Sequence, residues 1–594
     1  MIWKQNLLAI KRRDPSLADK LAAVSPMPGV EVITAQNGRL VPVWDDRLLY
    51  SRYDPSREAE AWAANILPEQ MQSGRVYLVF GLGLGYHLDA LLQKDPYAHF
   101  LVFETDLAWW RSLLELRDVR HLIKHKRVFL QTTPDLPLGS PAFNLIHRSV
   151  FTGTVILGEL PAYRDLFSTA YQQWLAQTKE CLHHIRTGLA TREHWKDVWL
   201  ANSIANLADV FAHPGVVEVR DCLADTPAVM AASGPSLNEH METLRQLVGR
   251  VPIIAAGSGL VPLRQNGIDP DYVVSIDPGE GNYASLKGYL DAPNTTLVFT
   301  SSLHPPVLRE FTGPKIAAFA DQEYLPRWIG EAVGWDKGTL PDATSVAIPT
   351  LDFVIGLGCP EIVLLGQDFS FAVPEKYYAG QMPSEAGNDY FSCTNLAGAT
   401  VYTTKQLVSM RRELELYVEK ANRAGRTVYN ASGTGLAIRG TSPVDFAVWA
   451  QAQQHRRFKQ PSLDLKPLEP AEVLNQLKEP IHNIRQELLA LRDLVADAAL
   501  ILKPLCPPNR LDRKKAVPIL SRAVSQLNQA RETESFRKVI RRTVSNLEIL
   551  VTTRQLNMDK ASDEQIQAFI SLLNNFATAV GGRAERYYSE LTKL

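Results

Sequence analysis

The chain has 594 residues, 45% of them apolar and 21% charged, with a formal net charge of −1. That balance excludes a disordered chain and a strongly basic nucleic-acid binder, and the length predicts several domains of ordinary size. Five cysteines (Cys181, Cys222, Cys359, Cys393, Cys506) stand without CxxC spacing, which argues against a zinc ribbon or a disulfide framework and fits a cytoplasmic protein. The opening MIWKQNLLAIKRRDPSL holds too short an apolar run for a signal peptide, and no stretch of about 18 apolar residues predicts a membrane span.

Residues 1–200 read as an N-terminal α/β domain. A helix and short strands (VEVITA, RLVPVW) lead into VYLVFGLGLGYHLDALL, Val76 to Leu92, and then FLVFETD, ending at Asp106. This is strand, Gly81-x-Gly83-x-Gly85 turn, helix and strand. Glu104 lies at the second strand's end, about 20 residues on, where an acid takes a ribose hydroxyl in nucleotide sites. The spacing suits a nucleotide or S-adenosylmethionine, or else a turn with a structural role alone. Between Ala162 and Phe211 the pattern turns helical and aromatic (Tyr163, Phe167, Tyr171, Trp174, Trp195, Trp199), as in a packed core or a bridge between domains.

The central domain is expected over 201–440, organised around Pro227 to Glu280. Here Ala228 to Ala232 is a buried strand, Ser233-Gly234-Pro235 a tight turn, and Ser236 the N-cap of a helix, with Glu239 completing a capping box. Leu237, Met241, Leu244, Leu247 and Val248 recur at helical spacing. A strand that turns into a capped helix aims backbone N–H groups at one crevice, which suits a phosphate. Further apolar strands follow (Val251 to Gly257, Tyr272 to Gly279, Thr295 to Ser302, Lys315 to Ala320, Glu361 to Phe371, Arg426 to Gly440), with helices between. The pattern predicts a Rossmann-like, mostly parallel, doubly wound sheet. The strand ends gather Gly257, Ser258, Ser275, Asp277, Thr300, Ser301, Ser302, Gly366, Gln367, Asp368, Asn430, Ser432 and Thr434 in one polar crevice.

Gly234-Pro235-Ser236-Leu237, Ser275-Ile276-Asp277, Gly366-Gln367-Asp368 and Asn430-Ala431-Ser432-Gly433 resemble, in that order, the motility-associated factor (Maf) family. Its members are flagellin glycosyltransferases with a central 6-hydroxymethylpterin pyrophosphokinase-like (MptE-like) domain. The Gly-Pro-Ser turn is also similar to that of sialyltransferases with a modified GT-A fold. The resemblance implies transfer of a nonulosonic acid (pseudaminic, legionaminic or sialic type) from a CMP donor to Ser or Thr of flagellin, in support of flagellum assembly and motility. On that reading Ser233 to Ser236 hold the donor's phosphate or cytidine, Asn430 and Gly433 line the sugar-nucleotide pocket, and Asp277 or Asp368 deprotonates the acceptor. The related enzymes use a His base, for which His304 is the candidate here. A DxD metal motif is missing, since Asp277 is followed by Pro278 and Gly279, so transfer without a metal or other cofactor is expected. The alternatives are a pterin-type pyrophosphokinase, a methyltransferase built on Gly81 to Gly85, and a non-catalytic flagellin-binding protein.

From 441 to 594 the strands stop. Ile481, Ile484, Leu488, Leu491, Val495 and Ala498 alternate by three and four, the seam of a helical C-terminal domain. This part holds 23 Lys and Arg against 17 Asp and Glu, the remainder 40 against 47. That asymmetry suits recruitment of a protein acceptor.

Overall fold

The structure is a computed structural model. It describes all residues except 1, 69–74, 134–135, 137–139, 152–154, 322, 373–389, 462–466, 506–511, 542–543, 545–547, 549–550 and 552–561. The chain divides into two compact units, residues 1–190 with 545–576, and residues 191–544 with 577–594.

The first unit opens with two helices and a small antiparallel sheet of β1 (Glu31–Thr34), β2 (Leu40–Trp44) and β3 (Arg47–Leu48). Its main sheet comprises β4 (Val76–Phe80), β5 (His99–Phe103), β6 (Val128–Gln131) and β7 (Val155–Glu159), in the order β6-β5-β4-β7, all parallel. VYLVF is buried at every position, as a central strand covered on both faces requires. The order reverses at β4, so the glycine turn that follows this strand lies at the topological switch point.

The second unit is built on β8 (Ala228–Ala231), β9 (Ile253–Ala256), β10 (Tyr272–Ser275), β11 (Thr296–Thr300), β12 (Lys315–Ala320), β13 (Thr339–Leu340) and β14 (Glu361–Leu365). A hairpin, β15 (Tyr390–Thr394) and β16 (Thr400–Thr404), then precedes β17 (Thr427–Asn430) and β18 (Ser442–Pro443). The nine-stranded sheet runs β13-β12-β11-β10-β9-β8-β14-β17-β18, parallel throughout. From β8 the chain winds outward through β9 to β13, then returns to place β14 on β8's other side. Strands anticipated from the sequence are present: Lys315–Ala320 has the expected bounds, and the other anticipated strands of this sheet are shorter. Helices Ala347–Leu357 and Lys405–Arg423 fall where expected.

One expectation is corrected at the organising turn. Pro235–His240 is a 3₁₀ segment, followed by the α-helix Met241–Leu247, and neither carries a side-chain cap. Ser236 lies inside the 3₁₀ turn, because Pro235 occupies its first position and ends the β geometry one residue early. Leu237, Met241, Leu244 and Leu247 are buried, whereas Val248 follows the helix and is exposed.

Most of the helical region belongs to this unit, residues 545–576 excepted. Ile481, Ile484, Leu488, Leu491, Val495 and Ala498 are all buried along Pro470–Leu502, as the periodicity predicts. Lys538 pairs with Glu331 at 2.6 Å, and Arg583 with Asp197 at 2.5 Å. Arg510, Arg542 and Leu547 of the basic helical region lie outside the described residues. Among the described residues no helix is long and apolar enough to cross a membrane.

Candidate functional site

Two glycine-bearing turns sit at switch points, and the first is filled from within. In the Gly81–Gly85 turn, Leu82 N–H donates to Glu104 Oε2, Gly83 N–H to the Tyr163 hydroxyl and Leu84 N–H to the Tyr50 hydroxyl, each at 2.9 Å. Tyr163 in turn donates to Glu104 Oε2 at 2.8 Å and accepts from Trp109 Nε1 at 2.9 Å. A Cβ on Gly81 would stand 2.5 Å from the Tyr163 ring, and one on Gly83 2.2 Å from the Tyr50 hydroxyl. The glycines therefore admit the protein's own tyrosines. Burial pushes the Glu104 carboxyl up to about 7, against the hydrogen bonds from Leu82 and Tyr163. Of the two readings the spacing allowed, this geometry favours the structural one: Leu82 N–H bonds Glu104 directly, Gly83 N–H reaches it through Tyr163, and Leu84 N–H goes to Tyr50.

The second turn follows β8. Gly234 N–H donates to Gly366 O at 3.0 Å and Ser236 N–H to Asp368 Oδ2 at 2.9 Å. The turn after β8 and the loop after β14 thus lock together across the point where the strand order reverses, the place where open α/β sheets bind ligands. Backbone contact this close needs glycine: a Cβ on Gly234 would lie 2.3 Å from Gly366 O and 2.4 Å from Asp368 Oδ2. Gly366 has φ +65°, and Phe369 holds φ +50° without being glycine, a strained conformation typical of functional sites. The loop after β17 closes the third side. Gln367 N–H donates to Ser432 Oγ at 3.1 Å, Ser432 N–H to Asn430 Oδ1 at 3.0 Å and Gly433 N–H to Ala431 O at 3.0 Å. Gly257, at φ +49°, and Ser258 end β9, and the Ser258 hydroxyl lies 3.0 Å from that of Ser233.

This locked frame leaves polar groups over. Ser236 Oγ, Gln367 Nε2, Asn430 Nδ2 and Asp368 Oδ1 are buried without a hydrogen-bond partner, and so is Ser275 Oγ at the end of β10. Their residues are 1, 3, 4, 4 and 2% exposed. Buried polar groups in a working protein bond something, and four of these five can donate. Asp368 is pushed up by burial, opposed by Ser236, whose hydroxyl lies beside the carboxylate out of hydrogen-bond alignment while its N–H bonds it.

The remaining expected residues lie further along the sheet edge. Asp277 follows β10, two strands from β8, or about 10 Å at the usual strand spacing. Its side chain is accessible, accepts from Gly279 N–H at 2.8 Å, and is raised by its dense surroundings against Gly279 and His304. His304 N–H donates to Asp277 O at 3.1 Å, while its Nε2 lies 3.0 Å from Glu280 Oε2 without hydrogen-bond alignment. Thr300 and Ser301 are buried; Thr300 Oγ1 lies 3.1 Å from Ser302 Oγ, and Ser301 Oγ donates to Glu323. Pro235 opens the 3₁₀ turn and Gly433 faces solvent.

Several residues of this edge were not read from the sequence. Asn202 donates to Pro278 O at 3.1 Å and Ser302 O at 2.9 Å, and Asn206 to Ser301 O at 2.9 Å and Leu303 O at 2.7 Å. Their spacing by four in the apolar stretch LANSIAN was the available signal. Glu323, raised to about 7 by burial and by Asp342, accepts from Ser203 at 2.6 Å and from Ser301. No local pattern marks it. Among the described residues no cluster of three His, Cys, Asp or Glu suits a metal ion.

The profile of the 6-hydroxymethylpterin diphosphokinase MptE-like family matches residues 201–373, the segment that carries β8 to β14. Across the whole chain, the fold matches the structure of the MAf glycosyltransferase from Magnetospirillum magneticum AMB-1 with a TM-score of 0.53 at 16% identity, covering 97% of that protein. The chain carries an MptE-like domain within a Maf glycosyltransferase fold. The resemblance drawn from the four motifs is met on both counts. Two uncharacterized proteins of Treponema pallidum (strain Nichols) are each 23% identical to it. One match spans 254 residues, 41% of this chain and 85% of that protein; the other spans 168 residues, 28% and 79%. The matched MptE-like segment contains the turns after β8 and β14 and the Asp277 loop, and it ends before the Asn430 loop.

Proposed function

We propose that the chain is a cytoplasmic glycosyltransferase that moves a nonulosonic acid from a CMP donor to Ser or Thr hydroxyls of flagellin. The observation that carries this reading is the set of buried, unpartnered donors on Ser236, Ser275, Gln367 and Asn430, around the switch point of an MptE-like domain. They match a ligand rich in acceptors, as a sugar nucleotide is, and the likeness to a MAf glycosyltransferase fold supports the reaction class. On this reading the Ser233 and Ser258 hydroxyls and the Gln367 and Asn430 amides hold the phosphate and ribose. Asp277, accessible and beside His304, takes the proton of the acceptor hydroxyl, and that hydroxyl's oxygen bonds the anomeric carbon as CMP leaves with the pair of the broken C–O bond. Asp368 is assigned a positioning role, because its Oδ2 anchors the turn through Ser236 N–H. No metal ion or other cofactor is invoked.

The test is to incubate the purified chain with flagellin and CMP-pseudaminic, CMP-legionaminic or CMP-sialic acid, and to weigh flagellin intact. A mass increase of one sugar per modified site, with CMP released, is expected. The match over residues 201–373 favours a second reading, diphosphate transfer from ATP to a hydroxymethylpterin. AMP release dependent on that pterin, with flagellin unmodified, would replace the first reading.

A further inference from the structure

The segment Arg120 to Arg127, RHLIKHKR, concentrates positive charge in the first unit. It turns from the short helix Arg120–Ile123 into the start of β6, at the edge of the sheet opposite the glycine turn. His121, Lys124, His125, Lys126 and Arg127 line an open cavity of about 520 Å³, within the range of about 300–1,000 Å³ usual for small-molecule sites.

The cations here are held in place but not neutralised. Arg13 reaches the loop from the end of the first helix, its Nη1 donating to Ile123 O at 2.7 Å and His125 O at 3.1 Å. Arg127 Nη1 donates to Ala98 O at 2.9 Å. Both guanidinium groups are thus fixed by neutral carbonyls that leave their charge uncancelled. Lys124 and Lys126 are exposed, and no carboxylate pairs with Arg13, Lys124, Lys126 or Arg127 among the described residues. Asp89 is already shared between His121 at 2.6 Å and Arg117 at 2.7 Å. His125 registers the imbalance: burial, then Arg127, Arg13 and His121, push its pKa down. Its Nδ1 accepts Arg127 N–H at 3.3 Å, which leaves Nε2 available to a ligand.

One fixed guanidinium group, two exposed ammonium groups and two imidazoles line this cavity, with Arg13 bonded to the same loop, and together they call for several negative charges placed close together. A single carboxylate would cancel one charge of four. We propose that this cavity binds a group with two adjacent phosphates, carried by a soluble molecule or by a lipid headgroup. Phosphate oxygens can accept from Arg127 and from the lysines at once, in charge-assisted hydrogen bonds.

The full-length chain is titrated with inorganic pyrophosphate by calorimetry and with vesicles of phosphatidylcholine with and without cardiolipin by sedimentation. The same titrations are run on Lys124→Gln/Lys126→Gln, whose two side chains are exposed and whose folding is checked by its melting curve. Expected are saturable binding to pyrophosphate, or selective binding to cardiolipin vesicles, a rise in the pH at which the His125 ring proton resonance titrates, and at least about a tenfold loss of affinity in the double variant, as removal of two charge-assisted bonds implies. Pyrophosphate binding identifies a soluble ligand; binding to cardiolipin vesicles alone identifies a lipid. Failure of both probes, or binding unchanged in the double variant, overturns the proposal.

Discussion

Both units place a glycine-bearing turn at the switch point of a parallel sheet, yet the two turns differ in what fills them. After β4, three successive N–H groups go to Glu104, Tyr163 and Tyr50, so the turn's backbone donors are taken from within and Glu104 Oε1 alone of these groups is left over. After β8, the turn is locked to the β14 loop by Gly366 O and Asp368, while side-chain donors around it remain unpartnered. The difference teaches that a glycine pattern reports close approach and not the identity of what approaches. In the first unit the approaching group is a tyrosine; in the second it is the neighbouring loop, and the ligand's place is marked by the groups that loop leaves unsatisfied.

The sharpest test of the contrast is Asp277→Asn. If Asp277 accepts the acceptor's proton, turnover falls by about 10²–10⁴-fold with donor affinity little changed; steady-state transfer to flagellin and equilibrium donor binding measure the two. Near-normal turnover places the base elsewhere, with His304 next to be replaced.

A matched pair of glycine substitutions separates the turns. Gly81→Ala puts a methyl group 2.5 Å from the Tyr163 ring at φ +96°, and overpacking plus a left-handed backbone should cost roughly 2–5 kcal/mol of stability. Donor affinity in the folded fraction should be unchanged. Gly234→Ala drives a methyl group against Gly366 O and Asp368 Oδ2 and should abolish donor binding as well as destabilise. Thermal melts and donor titrations on both variants check this, and loss of donor binding in Gly81→Ala alone would reverse the assignment.

The sealed turn also has a pH signature. Glu104 is raised in the folded protein to about 7 from an ordinary 4.5, so its contribution to stability falls as pH rises through that window. His87, buried and lowered to about 4 from 6.5, works the other way and loses stability as pH falls. Between about pH 4.5 and 6.5 the two slopes oppose each other, and each is worth about 3 kcal/mol over its full range. Glu104→Gln removes one of them. The variant should be more stable than the parent at pH 8, and below pH 6.5 it should lose stability more steeply on acidification, as denaturant midpoints across pH would show.

The smallest effects come from single polar truncations. Tyr50→Phe orphans Leu84 N–H and should cost about 1–3 kcal/mol without touching donor affinity. Asn430→Ala removes an unpartnered donor together with the acceptor of Ser432 N–H. It should weaken donor binding by about tenfold, the worth of one good hydrogen bond to a charged group. Calorimetric titration of both variants with CMP decides between them.

The parallel sheets, their strand positions and the buried seam of Pro470–Leu502 were legible in the sequence, because hydrophobic periodicity is local and each strand ends in small or acidic residues. Three of the four motifs also marked the strand ends that meet after β8, β14 and β17. Long-range pairing was not legible. Nothing near Gly81 announces that Tyr163, some eighty residues on, accepts a hydrogen bond from its turn, and nothing near Ser301 announces Glu323. The Ser236 capping box failed for a local reason, since Pro235 starts the 3₁₀ turn one residue earlier. Asp368 had looked like a free acid, and its structural bond to Ser236 N–H became visible only once the two loops were adjacent.

The central claim is that the donor occupies the crevice after β8 and not the one after β4. Hydrogen–deuterium exchange of the full-length chain, with and without saturating CMP-nonulosonic acid, tests this most directly. The account predicts new protection in peptides covering Ser233–Leu237, Gly366–Ser370 and Asn430–Gly433, with Gly81–Gly85 exchanging alike in both states. Protection confined to Gly81–Gly85, with the β8 turn unchanged, would contradict it.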